Sequence, residues 1–209
     1  MLLYVGEDFL YPTVFDARGA ALSMNEERSR HFWLYFNANT RIPEYAYEYK
    51  SKAANKIPGC IGHFLDGCAQ RAKVDIDGAQ CDYYDLLERS GLISDIKKLY
   101  AKYTRAEESE IPIAFVFAEN VPTEQRNAFI SAMERYQFVP VAHSVLLSEL
   151  IMDHIMCDNA LLNPVLGDKV LILNAVCDKL VMTDVVFDGE RWMSDGTFQI
   201  ASDFGDAPI

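Results

Sequence analysis

The fold is decided by a nearly unbroken apolar run, IPIAFVFA, that extends from Ile111 to Ala118. Its length is that of a β-strand, and apolar side chains at almost every position are typical of a strand buried on both faces of a sheet. Thr123 and Glu124 follow, and an acidic residue in the first turn of a helix complements the helix dipole. Apolar side chains at helical spacing then continue to Tyr136. This segment therefore predicts a strand followed by a helix.

The same alternation continues on both sides of this segment. Upstream, apolar residues from Leu92 to Tyr103 recur at helical spacing and predict an amphipathic helix. Downstream, Phe138 to Ala142 predicts another short strand, and Ser144 is positioned to cap a helix that extends to about Met156. The middle of the chain thus predicts the order helix, strand, helix, strand, helix.

A meander of three strands is predicted at each end of the chain. The first consists of short apolar runs separated by turn residues, at Leu2–Val5, Tyr11–Phe15 and Ala20–Met24. The second consists of longer runs, at Val170–Val176, Leu180–Phe187 and Arg191–Ala201. His31–Phe36 predicts a further strand, whereas residues 37–80 carry no pattern that selects one structure.

The predicted division into lobes follows helix-breaking composition between Asp158 and Asp168. Asn163-Pro164 and Gly167-Asp168 interrupt any helix there. We therefore predict a first lobe over residues 1–157, a linker over 158–168 and a partial second lobe, a β-meander, over 169–209. The predicted fold class is α/β (α+β), in which the first meander and the two central strands form one mixed sheet with flanking helices.

The final meander is predicted to need a covering surface. It has three strands, and too few residues follow it to form a helix that would pack on it. We therefore expect one of its faces to pack against the first lobe or against a second copy of the chain.

Composition and charge exclude several classes of partner. The 209 residues are 50% hydrophobic and 24% charged, which is typical of a globular protein with a sizeable core. The net charge of −12 at pH 7 repels phosphate backbones and anionic lipid, so we expect neither nucleic acid nor membrane insertion. The apolar start at Met1–Val5 is cut short by Glu7 and Asp8, which predicts no export signal there and a cytoplasmic location.

Five cysteines occur without a CxxC pair, which predicts reduced thiols. One cluster contains the sulfur and imidazole ligands that zinc prefers, at Cys60, His63, Cys68 and Cys81. Its spacing matches no common zinc motif, so packing of small cysteines against apolar neighbours is the favoured interpretation. A small zinc-supported interaction domain is the alternative.

Several segments carry a resemblance to a known superfamily. They are Ile113–Asn120, Thr123–Ala128, Val170–Leu173, Val185–Phe187 and Phe198–Ala201. Together with the order of the predicted elements, they resemble the superfamily of actin, sugar kinases and DnaK-type heat-shock chaperones. The resemblance implies a ribonuclease-H-like mixed sheet. It also implies two complete lobes, so the chain would be a truncated piece of a longer protein or a reduced relative.

The resemblance further implies an ATP site formed by two loops. In that superfamily, loop glycines let backbone N–H groups approach the phosphates, and an aspartate in each loop serves the metal or the attacking water. The first loop would fall at Gly6–Thr13, where Asp8 matches the aspartate and Thr13 supplies a hydroxyl. The second would fall at Asn174–Lys179, where Asn174 replaces the aspartate.

The residues within both loops predict that this chemistry is degenerate. Leu10–Pro12 stands where the first loop needs a small turn, and Val176–Asp178 replaces the glycines of the second. A Cβ at such positions keeps a phosphate away from the backbone N–H groups. Glu119, which follows the central strand, would be a general base in the manner of the family or a solvated carboxylate at a sheet edge.

We therefore predict a pseudoenzyme, a nonenzymatic actin-like or chaperone-like scaffold domain that acts through protein contacts. Its predicted partner is another protein or a second copy of the chain, and no cofactor is expected. The alternative is an ATP-binding phosphotransferase or chaperone-type ATPase that uses ATP and magnesium and lacks part of its second lobe.

Overall fold

A computed structural model describes residues 1–7, 9–23, 30–31, 34–36, 43–45, 60–76, 78–105, 110–158, 163–176 and 179–200. Within these ranges the chain is a mixed α/β structure with five helices and a mixed sheet. It divides into two compact units. Unit 1 comprises Met1–Phe115 and Val121–Ser144, and unit 2 comprises Val116–Asn120 and Val145–Ile209. No described helix is long and apolar enough to cross a membrane.

The described elements alternate along the chain between short strands and helices. The strands are β1 (Leu2–Val5), β2 (Phe9–Thr13), β3 (Arg30–His31), β4 (Leu34–Phe36), β5 (Pro43–Tyr45), β6 (Cys60–Ile61), β7 (Lys73–Ile76), β8 (Ala79–Asp82), β9 (Ile111–Phe117), β10 (Phe138–Pro140), β11 (Val145–Leu146), β12 (Lys169–Val176), β13 (Lys179–Phe187) and β14 (Trp192–Ile200). The helices are α1 (Phe64–Ala69), α2 (Tyr83–Arg89), α3 (Leu92–Thr104), α4 (Thr123–Arg135) and α5 (Leu147–Asp158).

The main sheet of unit 1 has the strand order β10-β9-β1-β2-β3. β1 pairs with β2 in the antiparallel sense, and β2 pairs with β3 in the same way. On the other side, β10 pairs in parallel with the first half of β9. β1 joins β9 at the start of the chain, where the Ala114 amide donates a hydrogen bond of 2.9 Å to the Met1 carbonyl. The sheet is therefore mixed, as predicted.

The core of unit 1 forms between β9 and α4. The Phe115 ring of β9 meets the Phe129 ring of α4 edge to face, with ring centroids 6.3 Å apart, and both side chains are fully buried. Phe129, Ala132 and Met133 lie at i, i+3 and i+4, so they form one buried helix face. The predictions of β9, α3 and α4 from apolar spacing are confirmed within a residue or two.

Unit 2 is built on a three-stranded antiparallel sheet of order β12-β13-β14. One face of this sheet packs on α5 through a buried cluster that contains Met152 of the helix and Val185, Phe187 and Trp192 of the strands. Partly buried Met156, Val170 and Ile172 complete the cluster. We call this the inner face. The helix that covers it precedes the meander in the sequence.

The prediction of the third strand in the first meander is wrong. Ala21 forms only an isolated bridge with Phe15, and the third strand of the sheet is β3, further along the chain. The cause is a tight turn at Asp16, whose carboxylate accepts hydrogen bonds from the amides of Arg18 and Ala20. The chain reverses there over too few residues to extend a strand. Met24, the last residue of the predicted strand, lies outside the described residues.

The division into units differs from the predicted lobes. The prediction put the boundary in a linker at 158–168, but α5 and the end of β9 belong to unit 2. Because the apolar side of α5 packs on the inner face, the helix belongs with the meander it covers. Residues 159–162 of the predicted linker lie outside the described residues.

The contact between Phe115 and Phe129 predicts a large loss of stability on truncation. Phe129→Ala removes a fully buried ring, and we expect it to lower the free energy of unfolding by about 3–5 kcal/mol. Val141→Ala is the control, because Val141 is 61% exposed and its truncation should change stability by less than about 0.5 kcal/mol. Urea unfolding followed by circular dichroism measures both, and equal effects would contradict this assignment of the core.

Candidate functional site

Two of the candidate residues predicted from the sequence, Glu119 and Asn174, meet in unit 2. Glu119 lies two residues after β9 and is only 7% exposed. The backbone N–H of Ser148, at the start of α5, donates a hydrogen bond of 2.7 Å to Glu119 Oε1. The side-chain amide of Asn174 in β12 donates one of 3.4 Å to Glu119 Oε2. We call these three residues the Glu119 clamp, because one carboxylate connects a strand end, a helix start and the sheet.

A second carboxylate fixes the same helix start from inside the helix. Glu149 Oε2 accepts a hydrogen bond of 2.9 Å from the backbone N–H of Leu146, and Glu149 Oε1 accepts one of 2.9 Å from the N–H of Ser194 in β14. The first of these bonds satisfies the amide of Leu146, which lies just before α5 and which the helix itself leaves without a partner. The predicted cap by Ser144 is wrong, since α5 begins at Leu147 and acidic side chains hold its first turn.

The contacts of Glu119 are those of a structural anchor. Each of its oxygens accepts a hydrogen bond from the protein, and little of the side chain is open to a substrate. A general base needs a lone pair directed at the proton that it removes. A negative charge next to the first turn of a helix is also stabilised by the helix dipole. The geometry therefore favours a carboxylate that holds α5 in place.

The residues of the two predicted phosphate loops fall in different units. Thr13 ends β2 in unit 1, where it lies opposite Leu2 and is half-buried. Asp8 lies outside the described residues. Asn174 lies opposite Val181 in the hairpin of β12 and β13 in unit 2. Cys177 and Asp178, which replace loop glycines, also lie outside the described residues.

The four candidate metal ligands do not form a ligand set. The described residues contain no group of three or more His, Cys, Asp or Glu side chains that could hold a metal ion. Cys68 and Cys81 are buried, Cys60 is half-buried, and His63 precedes α1 in a left-handed conformation. Burial, with a smaller contribution from the Asp82 carboxylate, raises the pKa of the Cys68 thiol. This disfavours the thiolate that zinc binds.

The second face of the unit 2 sheet is apolar and exposed. Leu171 and Leu173 of β12 are 53% and 60% exposed, and Phe198 of β14 is 56% exposed. The register aligns Leu173, Met182 and Phe198 in one row across all three strands, so they share a face. Val186 and Met193 lie opposite each other further along, and Asp184 lies opposite Leu171 in the row between. Together these residues define the outer face, which is apolar except for Asp184.

The sequence of β12 contains a second signal for the covering surface that this meander is predicted to need. From Val170 to Leu173 all four side chains are apolar, whereas a strand with one solvated face alternates apolar with polar residues. Val170 and Ile172 pack on α5, and Leu171 and Leu173 lie on the opposite face. An unbroken apolar strand whose sheet is covered on one side indicates a second covering surface.

Comparisons with known proteins point to no function, so the functional proposal depends on the contacts described above. No protein family and no curated protein matches the chain. The clamp accounts for buried Glu119 and half-buried Asn174 without a substrate, whereas the packing of unit 2 does not account for its outer face. The functional proposal is therefore built on that face.

The clamp predicts how stability depends on Glu119. Glu119→Ala leaves the amide of Ser148 without its acceptor, so we expect the free energy of unfolding to fall by about 1–3 kcal/mol. Glu119→Gln keeps an acceptor oxygen and should lower the free energy of unfolding by less than Glu119→Ala does. Glu134→Ala, an exposed position on α4, is the matched control and should change stability by less than about 0.5 kcal/mol. Chemical unfolding measures all three, and a clamp role is contradicted if Glu119→Ala is as mild as the control.

Proposed function

We propose that the chain is a nonenzymatic scaffold domain that associates with a second copy of itself through the outer face of unit 2. The observation that carries the proposal is the row of exposed apolar side chains formed by Leu173, Met182 and Phe198. Large apolar side chains grouped on an exposed surface mark sites of association. The inner face is covered by α5, so the outer face is the one available to a partner.

A second copy suits this face because a sheet packs readily on a sheet. Two antiparallel sheets pack face to face at a separation of about 10 Å, with side chains of both inner surfaces interdigitating. Two-fold symmetry places the same patch on both sides of such a contact, so an apolar patch faces an apolar patch. No partner of different chemistry is needed to cover it.

The charges at the rim of the face are compatible with this association. Lys169, which lies opposite Val186 in the register, forms an ion pair of 3.1 Å with Asp195. A two-fold contact repeats this pair on the second copy, so both copies present both signs of charge on this sheet. This reduces the repulsion that a net charge of −12 would otherwise produce between two identical chains.

The contacts of the clamp support the nonenzymatic part of the proposal. Glu119 uses both oxygens within the protein, and the side-chain amide of Asn174 donates to it. Asn174 stands where the resemblance implies an aspartate for the metal or the water, and an amide supplies no charge for that task. These two residues therefore act in the fold of unit 2, and no reaction is assigned to them.

We also infer that the main sheet belongs to the ribonuclease-H-like fold of the actin and DnaK superfamily. The strand order β10-β9-β1-β2-β3 supports this inference, because three antiparallel neighbours are followed by strands that pair in parallel. The helix α4 connects the two parallel strands β9 and β10, as in a crossover connection. The inference concerns the fold, and the scaffold role is proposed separately from it.

The association is tested by the mass of the full chain in solution. Sedimentation equilibrium should give twice the chain mass of 23.7 kDa for the wild-type protein. Leu173→Asp and Phe198→Asp place an unpaired charge in the contact and should each give a monomer. Val141→Asp is the control, because Val141 is an exposed apolar residue of unit 1 and its substitution should leave the dimer intact.

Two results would contradict this proposal. One is a wild-type chain that stays monomeric at the highest soluble concentration. The other is a dimer that Leu173→Asp and Phe198→Asp leave unchanged, since the contact would then lie elsewhere. Circular dichroism of each variant establishes that it remains folded.

A further inference from the structure

A cleft of about 270 Å³ in unit 1 brings three cationic side chains together. They are Arg71 after α1, Lys73 of β7 and Arg135 at the end of α4. The chain has 19 Lys and Arg against 31 Asp and Glu, so a convergence of three cations runs against its overall charge. The lining also includes Asp82 and Ser131.

The three cations are not neutralised by the described part of the chain. None of them has a side-chain hydrogen bond or an ion pair with a described residue. Asp82 is the acidic residue of the lining, and its Oδ1 accepts a hydrogen bond of 2.8 Å from the backbone N–H of Asp85 as the cap of α2. One of its two oxygens is thus used at the helix start.

Aromatic packing holds the walls of the cleft in place. The guanidinium of Arg135 lies over the ring of Tyr84, 4.5 Å from its centroid. The Tyr84 hydroxyl donates a hydrogen bond of 3.4 Å to the Cys68 carbonyl, and the Tyr84 carbonyl accepts one of 2.8 Å from the Tyr136 hydroxyl. Arg135 is therefore positioned before any ligand binds, which lowers the entropy cost of binding.

A glycine in α1 leaves room for a second aromatic ring beside the cleft. A Cβ at Gly67 would lie 2.4 Å from the ring of Tyr83, so only glycine permits the ring to lie against the helix at this point. Gly67, Tyr83 and Tyr84 all line the cleft. Side chains of α1, α2, β7 and α4 thus line the same cleft.

We propose that this cleft binds a phosphate monoester group. Three cations and one carboxylate leave a lining charge of about +2, which matches the charge of about −1.5 to −2 on a phosphate monoester at neutral pH. A carboxylate ligand would leave half of that charge unbalanced. Guanidinium groups bind phosphate oxygens in a bidentate manner, and the Ser131 hydroxyl adds a further donor. The tyrosine rings offer a surface to the organic part of the ligand.

The same group can be carried by a small metabolite or by a phosphorylated side chain of a protein, and both are tested. The probes are phenyl phosphate and a short phosphoserine peptide, each titrated into the full chain by calorimetry, with the unphosphorylated peptide alongside. Equal affinity for the two phosphates would identify a site for the free monoester. Tighter binding of the peptide would identify a protein-borne group. Binding of either should weaken as salt increases, because the cations are exposed.

Substitutions in the cleft should move the affinity in opposite directions. Arg135→Gln and Arg71→Gln remove a charged donor and should weaken binding by about tenfold or more. Asp82→Asn keeps a residue that caps a helix well and removes the opposing charge, so it should tighten binding by about two- to fivefold. Lys98→Gln removes the same charge from an exposed site on α3 outside the cleft and should leave the affinity unchanged.

Three outcomes would overturn the proposal. The first is that neither phosphate binds with a dissociation constant of about 1 mM or tighter. The second is that Lys98→Gln weakens binding as much as Arg135→Gln, which would indicate attraction to the surface as a whole. The third is that Asp82→Asn weakens binding. If Arg135→Gln does not fold, as judged by circular dichroism, Arg71→Gln and Asp82→Asn still decide the question.

Discussion

Strand β9 is the element on which both units depend. Its first residues pair with β10 and β1 in the main sheet of unit 1, and its last two residues pair with β11 in unit 2. Two residues further on, Glu119 accepts the amide of Ser148 and so holds the start of α5. A buried apolar strand that ends in a buried carboxylate therefore organises the core of one unit and the helix of the other.

The position of α5 determines which surface of unit 2 is left for association. Once Glu119 and Glu149 hold its first turn, its apolar side packs on the inner face of the sheet. Both faces carry large apolar side chains, so covering one face leaves those of the other exposed. The same carboxylate of Glu119 that the family resemblance implies as a base is hydrogen-bonded here to the start of α5 and to Asn174.

Local patterns in the sequence predicted the central strand and helices, whereas a local turn at Asp16 and contacts between distant residues account for what was missed. The apolar run at Ile111–Ala118 and the helical spacing that follows it depend on near neighbours, so β9 and α4 were predictable. The cap of α5 was missed although one of its contacts is local, from the amide of Leu146 to Glu149, whereas the contact of Glu149 with Ser194 spans 45 residues. Glu119 and Asn174 were named as candidates, yet 55 residues separate them and no spacing rule predicts their contact. The cleft is likewise lined by residues that are far apart in the sequence, from Gly67 to Arg135.

The measurement that tests the central claim most directly is an isotope-filtered nuclear Overhauser experiment on an equal mixture of labelled and unlabelled chains. It detects only contacts between two different copies of the protein. The account predicts intermolecular contacts between the Leu171 or Leu173 methyl groups and the Phe198 ring across the outer faces. Intermolecular contacts that involve other surfaces, or none at concentrations where the chain is dimeric, would contradict it.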